Sequence, residues 1–202
     1  MEPTVDARGL ACPQPVIQTR NALKALSEIV VVVDNEIAQR NVTRMAQKSG
    51  HQVRADVRGD GIYLHIWRAA NEADRAPAQD LTRTVAPGME GGLVLVVSSE
   101  FMGRGEHPEL GKVLIRGFFH TLGEVEPVPD TIIFFNSGVK LVAGGSPVTE
   151  DLCALAEQGV EILACGTCLD YYGLQDQVVV GEVSNMYTIA ESMLGAAKLV
   201  QL

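Results

Sequence analysis

The chain has 202 residues, 47% apolar and only 20% charged, enough core for one large domain or two small ones and too apolar for a disordered chain. Apolar runs such as 29–33 and Leu93–Val97 are strand-sized and far short of the ~18 residues that a membrane helix requires, so no membrane partner is expected. The net charge of −9 is uneven: residues 1–69 hold nine Lys and Arg against seven Asp and Glu, and the rest seven against eighteen. Nucleic acid binding recruits basic surfaces, so that class of partner is not expected either.

The start, Met-Glu-Pro-Thr-Val-Asp, lacks the basic-then-apolar pattern of a secretory signal, and a cytoplasmic location is expected. In a reducing compartment, cysteines at 12, 153, 165 and 168 point to thiol chemistry more than to a disulfide framework.

Thr4–Asp6 reads as a short strand, and a helix follows Pro13 with Val16, Leu23 and Leu26 on one face. A β-branched strand over 28–34, a helix over Glu36–Lys48 ending at Gly50, and strands over 52–57 and 61–67 turned at Gly59-Asp60-Gly61 come next. The order βαβαββ predicts a small two-layer α/β sandwich over residues 1–69. Residues 70–91, broken by Pro77, Pro87 and Gly88, sustain neither helical nor strand period and predict a linker. A flexible segment of ~20 residues reaches on the order of 25 Å.

Over residues 92–202, strands at 93–98, 131–135, 160–164 and 178–180 alternate with helices near 108–122, 149–158 and 185–197. That alternation predicts a doubly wound parallel sheet, with chemistry in the loops after the carboxyl ends of the strands. Three such loops are expected along one edge: 98–105, 136–140 and 165–168.

Pro13 suits a first helical position, which places Cys12 at or near the N-cap, where unpaired amides and the helix dipole favour a thiolate. Arg8 is available to assist that anion, and Pro15 stiffens the first turn; the plainer alternative is a cysteine that only caps and packs. Cys165-Gly166-Thr167-Cys168 follows an apolar strand and can form a disulfide, relay sulfur or supply half a metal site. No second CxxC or HxxxH spacing completes a metal set, so neither metal nor other cofactor is expected. Lys140, in the loop that begins at Asn136, either steadies an anion or is simply solvated. Cys153 reads as helix packing, and His120 beside Phe118 and Phe119 as a packing or surface residue. Tyr171 and Tyr172 read as core aromatics or as a cover over the CxxC, and Gly103-Arg104-Gly105 as a lid or a connection.

The segment Asp6-Ala7-Arg8-Gly9-Leu10-Ala11-Cys12-Pro13-Gln14-Pro15 closely resembles the signature of the TusA-like (SirA-like) sulfur-carrier family, and the resemblance extends over about residues 3–69. It implies that Cys12 carries a persulfide. The run Cys165-Gly166-Thr167-Cys168-Leu169-Asp170-Tyr171-Tyr172-Gly173-Leu174, with Asn136-Ser137-Gly138-Val139-Lys140 before it, resembles the C-terminal domain of YedF-like selenium-metabolism proteins, which is similar to the DsrE-like sulfur-relay fold. That resemblance covers about residues 92–202.

Together these resemblances imply a sulfurtransferase-like carrier of sulfur or selenium. Cys12 would hold the atom, Cys165 and Cys168 would form a relay, and Arg8, Pro13, Pro15, Asn136 and Lys140 would surround the two centres. The implied partners are a sulfur donor such as a cysteine desulfurase, an acceptor protein and further copies of the chain. A thiol-disulfide protein cycling Cys165 and Cys168 is the competing reading. A regulatory module that uses Arg40, Arg44 and Lys48 is the third.

Overall fold

The structure is a computed structural model that describes residues 3–11, 13–68, 92–103 and 107–202; these form two compact units, 3–68 and 92–202. Cys12, the expected linker 70–91, Arg104 and Gly105 lie outside the described residues.

The N-terminal unit runs β1 (Thr4–Asp6), α1 (Gln14–Ala25), β2 (Glu28–Val33), α2 (Glu36–Lys48), β3 (His51–Arg58) and β4 (Gly61–Arg68). Its sheet has the order β1-β2-β4-β3, with β1 parallel to β2 and the other pairs antiparallel. The unbroken run Ile29-Val30-Val31-Val32-Val33 suits β2 to a central place, and all five residues are buried. On β4 the alternation is clean: Ile62, Leu64 and Ile66 are buried, while Tyr63, His65 and Trp67 between them are only half-buried. Val16 of α1 and Val42, Met45 and Ala46 of α2 complete this core. Asn35 starts α2 by accepting a 2.8 Å bond from the Ala38 amide. Leu26, expected on the buried face of α1, is 40% exposed instead; the helix ends at Ala25, and Leu26 is an extended C-cap with φ of −128°. Thr19, whose hydroxyl donates to the Pro15 carbonyl at 2.7 Å, is buried on that face instead.

The C-terminal unit runs β5 (Leu93–Val97), α3 (Pro108–Leu122), β6 (Thr131–Phe134), α4 (Thr149–Glu157), β7 (Glu161–Cys165), α5 (Gly166–Tyr172), β8 (Glu182–Ser184), α6 (Met186–Leu194) and β9 (Lys198–Gln201). All its strand pairs are parallel, in the order β8-β7-β6-β5-β9. The chain steps outward from β5 to β8 and then returns through α6 to set β9 on the far side of β5. The carboxyl ends of β5, β6 and β7 are therefore neighbours, as the α/β alternation predicts. The core gathers Leu95, Ile133, Phe134 and Leu163 from the sheet with Ile115, Phe119 and Leu152 from the helices, and Phe119 stacks on Phe134 at 5.9 Å between ring centroids.

Several elements differ from the sequence expectation, among them the segment after Cys165, expected as a loop over 165–168, which opens α5 instead. The apolar run 178–180 is not a strand: Val178 makes a single bridge to Ala143, and the edge strand forms later, at β8. Gly181, at φ of +83°, separates the two and lies so close to Ile162 of β7 that a side chain there would collide. β9 was absent from the expected strands because its four residues follow almost directly on α6.

Candidate functional site

The N-terminal centre is built on the approach to α1. The Gln14 amide closes a turn onto the Ala11 carbonyl at 2.9 Å. Pro13 therefore belongs to that turn and forms the N-cap (φ −100°, ψ 21°), instead of the expected first helical position, and Pro15 is buried at the second. Pro13, Pro15, Asn35 and Asn41 line a small cleft of about 50 Å³ where the first turns of α1 and α2 meet.

The loop that leads to residue 12 is held by carboxylates. Gly9, at φ of +69°, donates its amide to Asp34 Oδ2 at 2.6 Å, and this bond holds the Asp34 carboxyl below its ordinary range. Arg8 donates to both oxygens of Asp6, at 2.9 and 2.7 Å, and to the Asp60 carbonyl at 3.1 Å. The guanidinium lowers the Asp6 carboxyl to about 2, and its own proton is held more tightly in return. Tyr63 donates to Asp60 at 2.7 Å, and Arg58 lies 4.1 Å over the Tyr63 ring. Arg8 thus commits its charge to Asp6 and Asp60. Asp34 was not singled out from sequence, although its position just before the Asn35 cap was the available signal.

The C-terminal centre lies where β5, β6 and β7 end. Cys165 is the last residue of β7 and the N-cap of α5, and it is 1% exposed. Burial, with a hydrogen bond shared with Cys168, pushes its thiol up to about 11, so it stays protonated at neutral pH. Gly166 lets α5 start against β8, since a Cβ there would come within 3.1 Å of the Ser184 carbonyl. One turn on, Cys168 is half-buried and accepts the Asn136 backbone N–H at 3.1 Å. Asn136 has φ of +51°, the one positive value at a non-glycine position among the described residues.

The loop after β6 is a 3₁₀ segment, Asn136–Val142, that links all three strand ends. Ser137 Oγ accepts the Glu100 amide at 3.3 Å, and Gly138 packs so tightly on the Val97 carbonyl that any Cβ would overlap it. Lys140 bonds Glu100 at 2.6 Å, which raises its pKa, and its Nζ lies 4.9 Å from the Tyr172 ring centroid. The Tyr172 hydroxyl faces Asn136 Oδ1 at 3.5 Å. Lys140 is therefore an anchored cation that keeps part of its side chain in water. Asn136, Lys140, Cys165 and Cys168 form one cluster, joined by Tyr172, expected as a core aromatic or a cover over the CxxC, and by Glu100, which residue spacing did not identify.

The remaining candidates fall outside it. Tyr171 is 83% exposed, which overturns its expected core packing, whereas Tyr172 packs against the core. Cys153 is half-buried against the core in α4, and His120 reaches across to Asp151 at 3.3 Å. Among the described residues, no group of three or more His, Cys, Asp or Glu gathers as a metal site, and no helix is long and apolar enough to cross a membrane.

Two α/β units, one with a Cys-Pro-Gln-Pro helix start and one with a CxxC at the mouth of a parallel sheet, define a two-domain thiol protein. Residues 3–68 match the family model of sulfurtransferase TusA, and residues 129–202 that of the DsrE/DsrF-like family. The chain thus joins a TusA/SirA-like domain to a DsrE-like domain after it.

Among solved structures, a SirA-like protein from Desulfitobacterium hafniense is 35% identical, with 31% of this chain and 92% of that one covered and a TM-score of 0.30. The ychN protein from E. coli is 20% identical over 55% of this chain and 97% of that one, with a TM-score of 0.42. A protein of unknown function from Methanobacterium thermoautotrophicum is 17% identical over 55% and 97%, with a TM-score of 0.39.

Proposed function

We propose that the chain is a carrier and transfer protein for sulfane sulfur, or its selenium counterpart, of the YedF-like kind. Its domains are 1–69 and 92–202, joined by a linker over 70–91. A donor such as a cysteine desulfurase loads Cys12 as a persulfide. The Cys168 thiolate then attacks the outer sulfur, Cys12 leaves as a thiolate, and the persulfide resides on Cys168 until an acceptor protein takes it. No oxidant or reductant is consumed. Pro13 and Pro15 hold the approach to α1 rigid, and Arg8 fixes the preceding loop through Asp6 and Asp60. A homo-oligomeric, cytoplasmic protein fits this reading; Leu110, Val113 and Leu114 form an exposed apolar stripe on α3 that suits contact between copies.

The observation that carries the proposal is the asymmetry of the CxxC. Cys168 has a backbone donor aimed at its sulfur, whereas Cys165 is buried and protonated. The pair therefore supplies one working thiol and one reserve. Intact-mass analysis of the protein after incubation with a desulfurase and cysteine should show one added sulfur on Cys12. In a chase, that sulfur should appear on Cys168, and a C168S variant that still passed it to the second domain would overturn the assignment.

A thiol-disulfide cycle is the second reading, favoured by the hydrogen bond between the two thiols. It requires a reversible Cys165–Cys168 disulfide in a redox titration at cellular potentials, and it fails without one.

A further inference from the structure

A cavity of about 360 Å³ opens beside the Cys168 cluster, walled by Glu100, Lys112, Lys140, Tyr172 and the Gly144–Pro147 turn. Its size fits a small molecule of amino-acid to tripeptide dimensions. Tyr172 lies one helical turn after Cys168 on α5, so both are on one face of the helix. Asn136 bonds the Cys168 sulfur through its amide and meets the hydroxyl of Tyr172, a wall residue, through its side chain, so the thiol lies just behind the wall, one residue removed from it.

The charge of this wall is opposite to that of its surroundings. Among the described residues that line it, Lys112 and Lys140 face one carboxylate, Glu100, giving a net positive cavity in the acidic part of the chain. Lys140 is tied to Glu100 at 2.6 Å. Among the described residues, Lys112 approaches the 88% exposed Glu109, which is not part of the wall, at 3.8 Å, and the Phe101 ring at 5.7 Å from its centroid. Neither contact neutralises the ammonium in a buried ion pair, so it can meet a ligand. Near a thiol, a positive cavity of this size selects an anion that itself brings sulfur chemistry.

The geometry points to the cavity as the binding site for a low-molecular-weight thiol that carries a carboxylate, with Lys112 holding the carboxylate and the thiol directed at Cys168. This inference rests on the relay reading for its chemistry but not for the binding. The bound thiolate attacks the outer sulfur of the Cys168 persulfide. The sulfur–sulfur bond breaks, Cys168 departs as a thiolate and the small thiol leaves as its own persulfide; run in reverse, the same step loads Cys168. A small-molecule acceptor or donor would thus act alongside a protein partner.

Binding is tested without the chemistry by titrating the full chain, as its C168S variant, with S-methylglutathione and following backbone amides by NMR. Saturable shifts should centre on residues 140–147 and 172. Affinity should fall about tenfold in K112Q, the worth of one charge-assisted contact, and return in K112R. No saturable shift, shifts elsewhere, or equal affinity in K112Q would overturn the site. Wild-type protein loaded with inorganic polysulfide then tests transfer: glutathione should unload Cys168 with saturation and with kcat/KM about tenfold lower in K112Q, while cationic cysteamine should show no effect of K112Q. Binding of S-methylglutathione without any persulfide on Cys168 would leave the site standing and sink the relay. A loaded Cys168 with no binding would do the reverse.

Discussion

The backbone amide of Asn136, just after β6, donates to the sulfur of Cys168, on α5, across 3.1 Å, so a loop on one strand end stabilises a thiol presented by the next. The contact depends on Asn136 holding φ of +51°, a region that β-branched residues resist. Asn136→Val should cost about 1–2 kcal/mol in urea unfolding and slow alkylation of Cys168 by iodoacetamide. Asn136→Gly, which keeps the amide and adopts positive φ freely, should leave the alkylation rate near wild type.

Cys165 should make stability depend on alkaline pH. Its thiol is raised to about 11 in the fold, above the usual thiol range that the unfolded chain has. Between these values the unfolded chain loses its proton while the folded one keeps it. The contribution is therefore complete below the unfolded value and is lost as pH rises through the folded one. Denaturant titrations from pH 8 to 11 should show wild type losing on the order of 2 kcal/mol more than Cys165→Ala. Parallel pH profiles would contradict the buried, protonated thiol.

Much of this was legible in the sequence. The Val-rich run of β2 and the α/β alternation of the second domain are strong periodic signals, and both α2 and α3 lie where their patterns put them. The Asn136, Lys140, Cys165 and Cys168 cluster follows from parallel strands ending at one edge. Glu100 was not legible as a partner, because the pairing of Lys140 with Glu100 spans 40 residues and exists only once β5 and β6 are neighbours. The strand expected at 178–180 failed for a local reason: the turn at Gly181 and its packing on Ile162 override the β-branched preference of three valines.

Gly138 has no room for a side chain, since an added Cβ would overlap the Val97 carbonyl. Gly138→Ala should cost about 3 kcal/mol or more and pull the loop away from β5. Chemical denaturation measures the loss, and NMR shifts of Glu100 and Lys140 report the displacement.

Asp34 ties the Gly9 amide ahead of Cys12, and its carboxyl titrates below the ordinary range. Asp34→Ala should destabilise the N-terminal domain by about 1 kcal/mol in urea unfolding and reduce sulfur loading at Cys12. The wild-type advantage should be present above the unfolded carboxylate pKa and should be lost as pH falls through the lowered folded value.

Whether Cys12 is the entry point for sulfur is the central claim, and intact-mass spectrometry after incubation with a cysteine desulfurase and cysteine tests it most directly. Wild type should gain the mass of one sulfur atom, removable by reductant, and Cys12→Ser should gain none at any position. Equal loading of Cys12→Ser, or no loading of wild type, would contradict the account.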